Sequence, residues 1–172
     1  MIPTKIALLT DSSADLRWEE ARENNIFFVP LRILCQDGEY LDGVDIRGQD
    51  IYRRLRSGEL PQTSLPRVED FSAKLHEIFD LGYDGVIAVM LSSGLSGTYN
   101  LARIVAEECR EQGRAMVAFD SLSGSLGLGM TVLQLAEDIR NGMGWEELTQ
   151  HRAPQLIANT YPFFTLDTLE YL

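Results

Sequence analysis

Four short apolar runs, separated by stretches of helical pattern, constrain the fold of this chain more than any other feature. They occupy residues 5–10, 26–29, 85–90 and 115–119. Continuous apolar runs of this length are typical of strands that are buried on both faces of a parallel sheet. Because parallel strands need crossover connections, the alternation predicts an α/β fold: a doubly wound parallel sheet with helices on both faces.

The segments between these runs predict six helices and one hairpin. Helical spacing predicts helices over residues 15–23, 49–56, 66–81, 124–140 and 145–152, and one more after Asn100. Asp15 is expected to cap the first helix or to lie in its first turn. An Asp37-Gly38 pair between two apolar stretches predicts a hairpin over residues 31–41. We expect residues 1–160 to form one domain and residues 161–172, with a strand over 163–166, to begin a second α/β domain.

Composition excludes several classes of protein. The 172 residues are 45% hydrophobic, which suits a compact core, and the net charge is −11 without any basic run. This charge excludes a nucleic-acid partner and disfavours anionic membranes. A strand begins almost at Met1, and no apolar run could cross a bilayer, so the sequence predicts a soluble cytoplasmic protein. Cys35 and Cys109 fit neither a metal site nor a redox pair and are expected to be free thiols.

The turn that follows the apolar run 85–90 carries the strongest functional signal. Residues 91–100 read Leu-Ser-Ser-Gly-Leu-Ser-Gly-Thr-Tyr-Asn, and a helix is predicted directly after them. We expect backbone N–H groups at the start of this helix to be left unpaired by the carbonyls of their own helix. The helix N-terminus also carries partial positive charge, and hydroxyls add neutral donors. We therefore interpret the segment as a turn that holds a carboxylate or a phosphate.

Two other strand ends and one loop add polar groups. Asp11 and Asp120 each follow an apolar run, and ligands of α/β sheets bind at the carboxyl ends of the strands. If these strands are neighbours, their turns line one crevice together with Ser93. Thr63 and Ser64 lie between two prolines in a segment that we expect to form an extended turn. They are interpreted either as caps of the helix after Pro66 or as hydroxyls that face the crevice, and both roles can coexist.

The same residues argue against bond-breaking chemistry. The turn lacks the lysine of a phosphate-binding P-loop, and Thr98 stands where a nucleophile elbow needs glycine. His76 and His151, the two histidines, are not placed to activate Ser93, and a serine without a base is a poor nucleophile. The acidic stretch 37–45 lacks the spacing of a calcium loop. No catalytic residue, metal or cofactor is predicted, although a serine hydrolase and a phosphate or sugar-phosphate binder using the Ser92–Thr98 turn remain as alternatives.

Several motifs, taken in order along the chain, resemble the DegV family of bacterial fatty-acid-binding proteins. The segments are Thr10–Leu16 (TDSSADL), Val29–Leu31 (VPL), Thr63–Pro66 (TSLP), Ser92–Tyr99 (SSGLSGTY), Asp120-Ser121 before a helix dotted with glycines, and Asp167–Leu172 (DTLEYL). The Ser92–Tyr99 motif is specific, whereas each of the others would be weak alone. The resemblance extends over nearly the whole chain.

The resemblance implies a function and a site. Members of this family are two-domain proteins that hold one long-chain fatty acid without acting on it, and some present the lipid to a fatty-acid kinase that phosphorylates its carboxylate. By resemblance, Thr63 and Ser93 hydrogen-bond the carboxylate of the fatty acid. Ser64, Ser92 and Gly94 shape the pocket around it.

Two departures from the family pattern have consequences. Leu65 stands where the family usually has glutamine after Thr-Ser, which removes a polar group near the head-group turn. Family members also continue past the DTLEYL segment into a second domain, which supplies further ligand contacts, including a histidine. We therefore expect this chain to be the N-terminal portion of such a protein.

Overall fold

A computed structural model describes residues 2–163 of the chain. Its strands are β1 (Ile6–Asp11), β2 (Ile26–Val29), β3 (Arg32–Cys35), β4 (Gly38–Leu41), β5 (Gln62–Ser64), β6 (Gly85–Met90) and β7 (Ala115–Asp120). Its helices are α1 (Trp18–Glu23), α2 (Gly48–Arg56), α3 (Val68–Asp80), α4 (Thr98–Glu111), α5 (Ser125–Arg140), α6 (Trp145–Glu147) and α7 (Ala153–Ala158). A 3₁₀ turn covers Ser12–Ala14, and a π-helical turn, Leu148–Arg152, joins α6 to α7.

The four predicted apolar strands form one parallel sheet in the order β2-β1-β6-β7. Leu8 of β1 lies opposite Ile26 of β2 on one side and Ile87 of β6 on the other. All six residues of β1 and all six of β6 are buried, as continuous apolar runs require in a sheet covered on both faces. The predicted α/β fold is confirmed, and the ends of β1, β6 and β7 are adjacent.

Helices cover both faces of this sheet. On one face, Phe71 and Ile78 of α3 and Val105 of α4 pack against strand residues such as Val86. On the other face, α5 supplies Leu128, Val132 and Leu135, which are fully buried against β1 and β6. The sheet is therefore a rigid layer between two apolar cores, and only its strand ends are free to carry polar groups.

A second sheet, antiparallel and three-stranded, has the order β4-β3-β5. The predicted hairpin forms, but Gly38 pairs with Cys35, so its turn residues are Gln36 and Asp37 instead of Asp37 and Gly38. The expected extended turn around Thr63 is strand β5, in which Thr63 lies opposite Ile33. The interpretation of Thr63 or Ser64 as a helix cap is wrong, because α3 begins later, at Val68, and its N-cap is Arg67.

Other boundaries also differ from the sequence predictions. Asp15 does not cap α1: it ends the 3₁₀ turn in the left-handed conformation (φ 52°), and the N-cap of α1 is Arg17. The last predicted helix continues past Arg152 to Ala158, through the π-helical turn Leu148–Arg152 and with Pro154 near the start of α7. The strand predicted over 163–166, and with it the start of a second domain, lies almost entirely outside the described residues.

The remaining predictions concern thiols, histidines and membrane spans. Cys109 is buried, Cys35 is half-buried, and both are free. His76 on α3 and His151 in the π-helical turn are exposed. Within residues 2–163, no helix has both the length and the apolar character that crossing a membrane would need.

Candidate ligand-binding site

Two carboxylates join the three neighbouring strand ends. Asp11, at the end of β1, accepts a hydrogen bond from the backbone N–H of Leu91, at a distance of 2.8 Å. Asp120, at the end of β7, accepts one from the backbone N–H of Ser93 at 3.1 Å. The turn after β6 is therefore held from both sides, so the three polar turns form one continuous surface at the carboxyl edge of the sheet. Sequence reasoning placed both acids at this edge but did not foresee that they would hold the turn.

Most amides of the turn already have partners. The N–H of Ser92 donates to the carbonyl of Ser123, and those of Leu95 and Ser96 donate to the carbonyl of Ser92. The Thr98 N–H donates to the Ser96 hydroxyl, at 3.2 Å. The amides before the helix are thus satisfied by serine side chains and by carbonyls of the tight turn itself. At the start of α4, within residues 2–163, the amides of Thr98, Tyr99 and Asn100 donate to no carbonyl of their own helix, as expected, and those of Tyr99 and Asn100 have no other partner.

Some hydroxyls of the turn and of β5 are hydrogen-bonded within the protein, and others are free. The Ser92 hydroxyl accepts the Gly94 N–H at 3.3 Å, and the Ser96 hydroxyl is hydrogen-bonded to that of Thr98 at 2.8 Å. By contrast, the hydroxyls of Thr63, Ser64 and Ser93 form no hydrogen bond with any described residue. Thr63, Ser93 and Gly94 are exposed, while Ser64 and Ser92 are half-buried. The free hydroxyls are thus available to a ligand.

Leu65 brings the second hydroxyl segment to the turn. Its side chain lies over Gly97, so that a methyl group added at Gly97 would be 3.8 Å from Leu65 Cδ1. Thr63 and Ser64 lie at the end of β5, two residues and one residue before Leu65. The structure therefore puts the end of β5 next to the start of α4, and the residue that departs from the family pattern is the one that makes this contact.

Exposed apolar side chains surround the polar turn. Leu65, Leu95 and Leu122 are 40%, 67% and 60% exposed. Leu122 lies two residues after Asp120, and one carboxylate oxygen of Asp120 accepts the N–H groups of both Ser93 and Leu122. Large apolar groups gathered on one exposed surface, next to free hydroxyls, are suited to a ligand that has an apolar part and a polar head.

Asp11 is the buried acid of the site. Its side chain is fully buried, and burial raises its pKa above the usual range, although hydrogen bonds from Leu91 and from Ser13 act in the opposite direction. The Ser13 N–H and hydroxyl both donate to one carboxylate oxygen. Asp11 is therefore a structural acceptor beneath the turn and not a group that meets solvent.

One further cluster of potential metal ligands lies away from the turn. Cys35, Asp37 and Glu59 bring one ligand atom each within 4.8 Å of one another. The Arg54 guanidinium lies among them, 2.8 Å from Asp37 and 3.0 Å from Glu59. This cation is already ion-paired with both carboxylates, so the cluster is an ion-pair network that ties α2 to the hairpin.

The fold and the turn together define an α/β binding domain whose polar site lies at the carboxyl ends of three parallel strands. The model of the DegV family, described as uncharacterised proteins, matches residues 5–172. The chain belongs to the DegV family.

Relatives and solved structures agree with this assignment. A DegV domain-containing protein of Clostridium perfringens is 39% identical over 169 residues, which are 98% of this chain and 58% of the relative. A DegV family protein from Thermus thermophilus, whose structure is described for its fatty acid binding, is similar in fold with a TM-score of 0.79. The two chains are 31% identical, and the match covers 90% of this chain and 54% of that one. DegV of Bacillus subtilis, described as a fatty acid binding protein, is similar in fold with a TM-score of 0.78 and 29% identity. The match covers 88% of this chain and 52% of that one. The chain therefore spans a little over half the length of the proteins it matches.

Proposed function

We propose that this chain binds the carboxylate of a long-chain fatty acid, with the Thr63 and Ser93 hydroxyls as donors. Ser64, Ser92 and Gly94 form the immediate surroundings of the head group in this proposal. The binding is non-catalytic, and the lipid is a cargo. The N-terminus of α4, with the amides of Tyr99 and Asn100, adds a favourable field for the anion.

The observation that supports the proposal most is the distribution of free hydroxyls. Within residues 2–163, the Thr63 and Ser93 hydroxyls have no hydrogen-bond partner, whereas the Ser92 and Ser96 hydroxyls are used by the turn itself. Leu65 joins the two segments through Gly97. Both solved relatives described above are fatty-acid-binding proteins, and this chain matches about half of each.

The energetics suit a ligand of this kind. Each buried methylene of an acyl chain contributes about 0.8 kcal/mol, so a long tail can supply most of the affinity before ordering costs are subtracted. A hydrogen bond to a charged group contributes roughly 1.5–3 kcal/mol. The hydroxyls therefore mainly fix the orientation of the head group, and apolar residues such as Leu95 and Leu122 meet the tail.

The alternative functions have less support. A phosphate carries more negative charge than a carboxylate, and the Asp120 carboxylate already accepts the N–H of Ser93, so it would repel a dianion at this turn. A hydrolase needs a base near Ser93, but His76 is bound to the carbonyl of Ser72 on α3, at 2.8 Å, and His151 is in the π-helical turn. Neither histidine belongs to the turn.

The proposal extends to a partner and to domain organisation. A fatty acid held by its carboxylate at an exposed turn is accessible to an enzyme that phosphorylates it, so we propose presentation to a fatty-acid kinase, as the family resemblance implies. We also propose that residues 1–160 are the first of two domains, since the matched region is 58% of the length of the Clostridium perfringens relative.

Mass spectrometry of lipids that copurify with the protein tests the proposed ligand. The chain is purified from a bacterial host, checked for folding by circular dichroism, and extracted with organic solvent. A long-chain fatty acid in stoichiometric amount is the expected result. The same extraction from a T63A/S93A variant should yield much less, and a phosphorylated small molecule in place of a fatty acid would contradict the proposal.

A further inference from the structure

A groove runs along one free edge of the parallel sheet, two strands away from β6, the strand that leads into the polar turn. It is a cavity of about 530 Å³ that α1, β2 and α3 enclose. Its walls include Trp18 of α1, Phe27 and Phe28 of β2, and Tyr83, just after α3. We call it the β2 edge groove. None of the residues proposed to hold a fatty acid lines it.

The residues around the cavity fix where it lies. Consecutive residues of a strand point to opposite faces of a sheet, and yet Ile26, Phe27 and Phe28 all line this cavity. Phe27 packs with the core on the α3 side, and Phe28 belongs to the core on the α1 side. A space that reaches both faces and both helices can only follow the outer edge of β2. Within the described part of the chain, β2 has β1 as its one partner strand, so its outer edge carries unpaired backbone groups.

The groove is basic although the protein is acidic. Lys5, Arg22 and Lys74 line it together with one acid, Glu77, whereas the whole chain has a net charge of −11. The Lys74 ammonium pairs with Glu77 at 2.5 Å. Lys5 Nζ donates to the carbonyl of Leu81 at 2.8 Å, beside the Tyr83 ring. Both lysines are thus bound to α3 and the residues that follow it, and Arg22 is exposed on the α1 side.

We propose that the β2 edge groove binds an extended acidic segment of a partner protein, which adds to the sheet as a strand beside β2. The backbone of the segment hydrogen-bonds to the free edge, as in other cases of recognition by strand addition. Its acidic side chains meet Arg22 and Lys74, and its apolar side chains meet Trp18 and Phe27. A second copy of this chain fits less well, because pairing two β2 edges would bring the same cations together.

Fluorescence anisotropy with short labelled peptides tests this proposal. The probe is an eight-residue peptide of alternating valine and glutamate. One control peptide has lysine in place of glutamate, and another carries N-methyl groups on the amides that would donate to the edge of β2. We expect the acidic peptide to bind at least tenfold more tightly than either control. Hydrogen exchange at the amides of β2 should slow when it binds.

Two charge-reversal variants locate the contact. R22E should weaken binding of the acidic peptide about tenfold, whereas R110E, on the exposed surface of α4, should leave it unchanged. If the N-methylated peptide bound as tightly as the acidic peptide, the interaction would rest on charge alone, and strand addition would be overturned. Absence of binding by the acidic peptide would overturn the proposal, and so would a concentration-dependent dimer that R22E dissolves, because it would make a second copy the occupant.

Discussion

The backbone N–H of Ser93 donates to the carboxylate of Asp120, with 3.1 Å between nitrogen and oxygen. The same oxygen of Asp120 accepts the N–H of Leu122 at 3.0 Å. A carboxylate that supports the proposed head-group turn therefore also places a negative charge beside it. The residue has two opposite effects on an anionic ligand, and a matched pair of substitutions separates them.

We expect D120N to tighten the binding of a fatty acid and D120A to weaken it. Asparagine keeps one oxygen that can accept both N–H groups but removes the charge, and like charges about 6 Å apart in water repel by about 0.7 kcal/mol, which is about threefold in affinity. Alanine removes both hydrogen bonds and loosens the turn. Titration of each variant with a long-chain fatty acid measures the effect. Weaker binding by D120N than by the unaltered chain would contradict this account of the charge.

Gly129 sets how closely α5 approaches the turn after β1. A methyl group at this position would overlap the carbonyl oxygen of Ala14 and would lie 3.0 Å from a Leu16 methyl. We expect G129A to lower the free energy of unfolding by about 1–3 kcal/mol, because backbone cannot move aside cheaply. G97A is the control, since its added methyl would make only ordinary contact with Leu65. We expect a clearly lower melting temperature for G129A than for G97A. Equal melting temperatures would contradict close packing of α5 against the turn after β1.

Asp11 makes part of the stability depend on pH. Burial raises its pKa in the folded state, so the folded protein holds the Asp11 proton more tightly than the unfolded chain, whose aspartate pKa is about 3.9. The stability gained is fully present below the unfolded pKa and is lost as pH rises through the folded pKa.

Urea unfolding of the unaltered chain and of D11N, measured as pH rises from below the unfolded pKa of Asp11, tests the direction of this pH dependence. We expect D11N to be less stable by about 1–3 kcal/mol. The reason is that the asparagine NH₂ group would face an N–H or O–H donor where an oxygen of Asp11 now accepts a hydrogen bond. The difference between the two proteins should narrow as pH rises. A difference that widens with pH would mean that the hydrogen bonds from Leu91 and Ser13 outweigh burial and keep the group ionised.

Leu65 offers a test of the departure from the family pattern. Its side chain is 40% exposed and lies over Gly97, beside the free hydroxyls of β5. We expect L65Q to bind a fatty acid a few-fold more tightly, because one added donor near a carboxylate contributes about 1 kcal/mol after solvent competition. L60Q, a change at another exposed leucine outside the site, serves as the control. Unchanged affinity in L65Q would place the carboxylate away from this residue.

The sequence predicted the layers of this fold well because the main signals are local. Apolar runs identified β1, β2, β6 and β7, and the polar residues after three of them correctly pointed to one edge of the sheet. Strand β5 was not recognised as a strand, because Gln62, Thr63 and Ser64 are polar and form a strand only by pairing with β3, which is far away in sequence. Propensity is a weak guide where long-range pairing decides.

The candidate site was predictable in its residue types but not in its hydrogen bonds. Three serines and two glycines after β6 indicated a ligand-holding turn, yet the sequence could not tell which donors the turn would use internally. The Ser96 hydroxyl is bonded to Thr98, and the Ser93 amide is bonded to Asp120, 27 residues away. Such pairings follow from the adjacency of strand ends, which is a property of the assembled sheet.

The most direct test of the central claim is the affinity of a long-chain fatty acid for T63A, S93A and the double variant. Because neither hydroxyl is hydrogen-bonded within residues 2–163, the account predicts unchanged melting temperatures. It also predicts that each change weakens binding by roughly tenfold or more, from a lost charge-assisted hydrogen bond of about 1.5–3 kcal/mol. S57A, which removes an exposed hydroxyl at the end of α2, should bind normally. Binding by the folded double variant as tight as that of the unaltered chain would contradict the claim that these two hydroxyls hold the carboxylate.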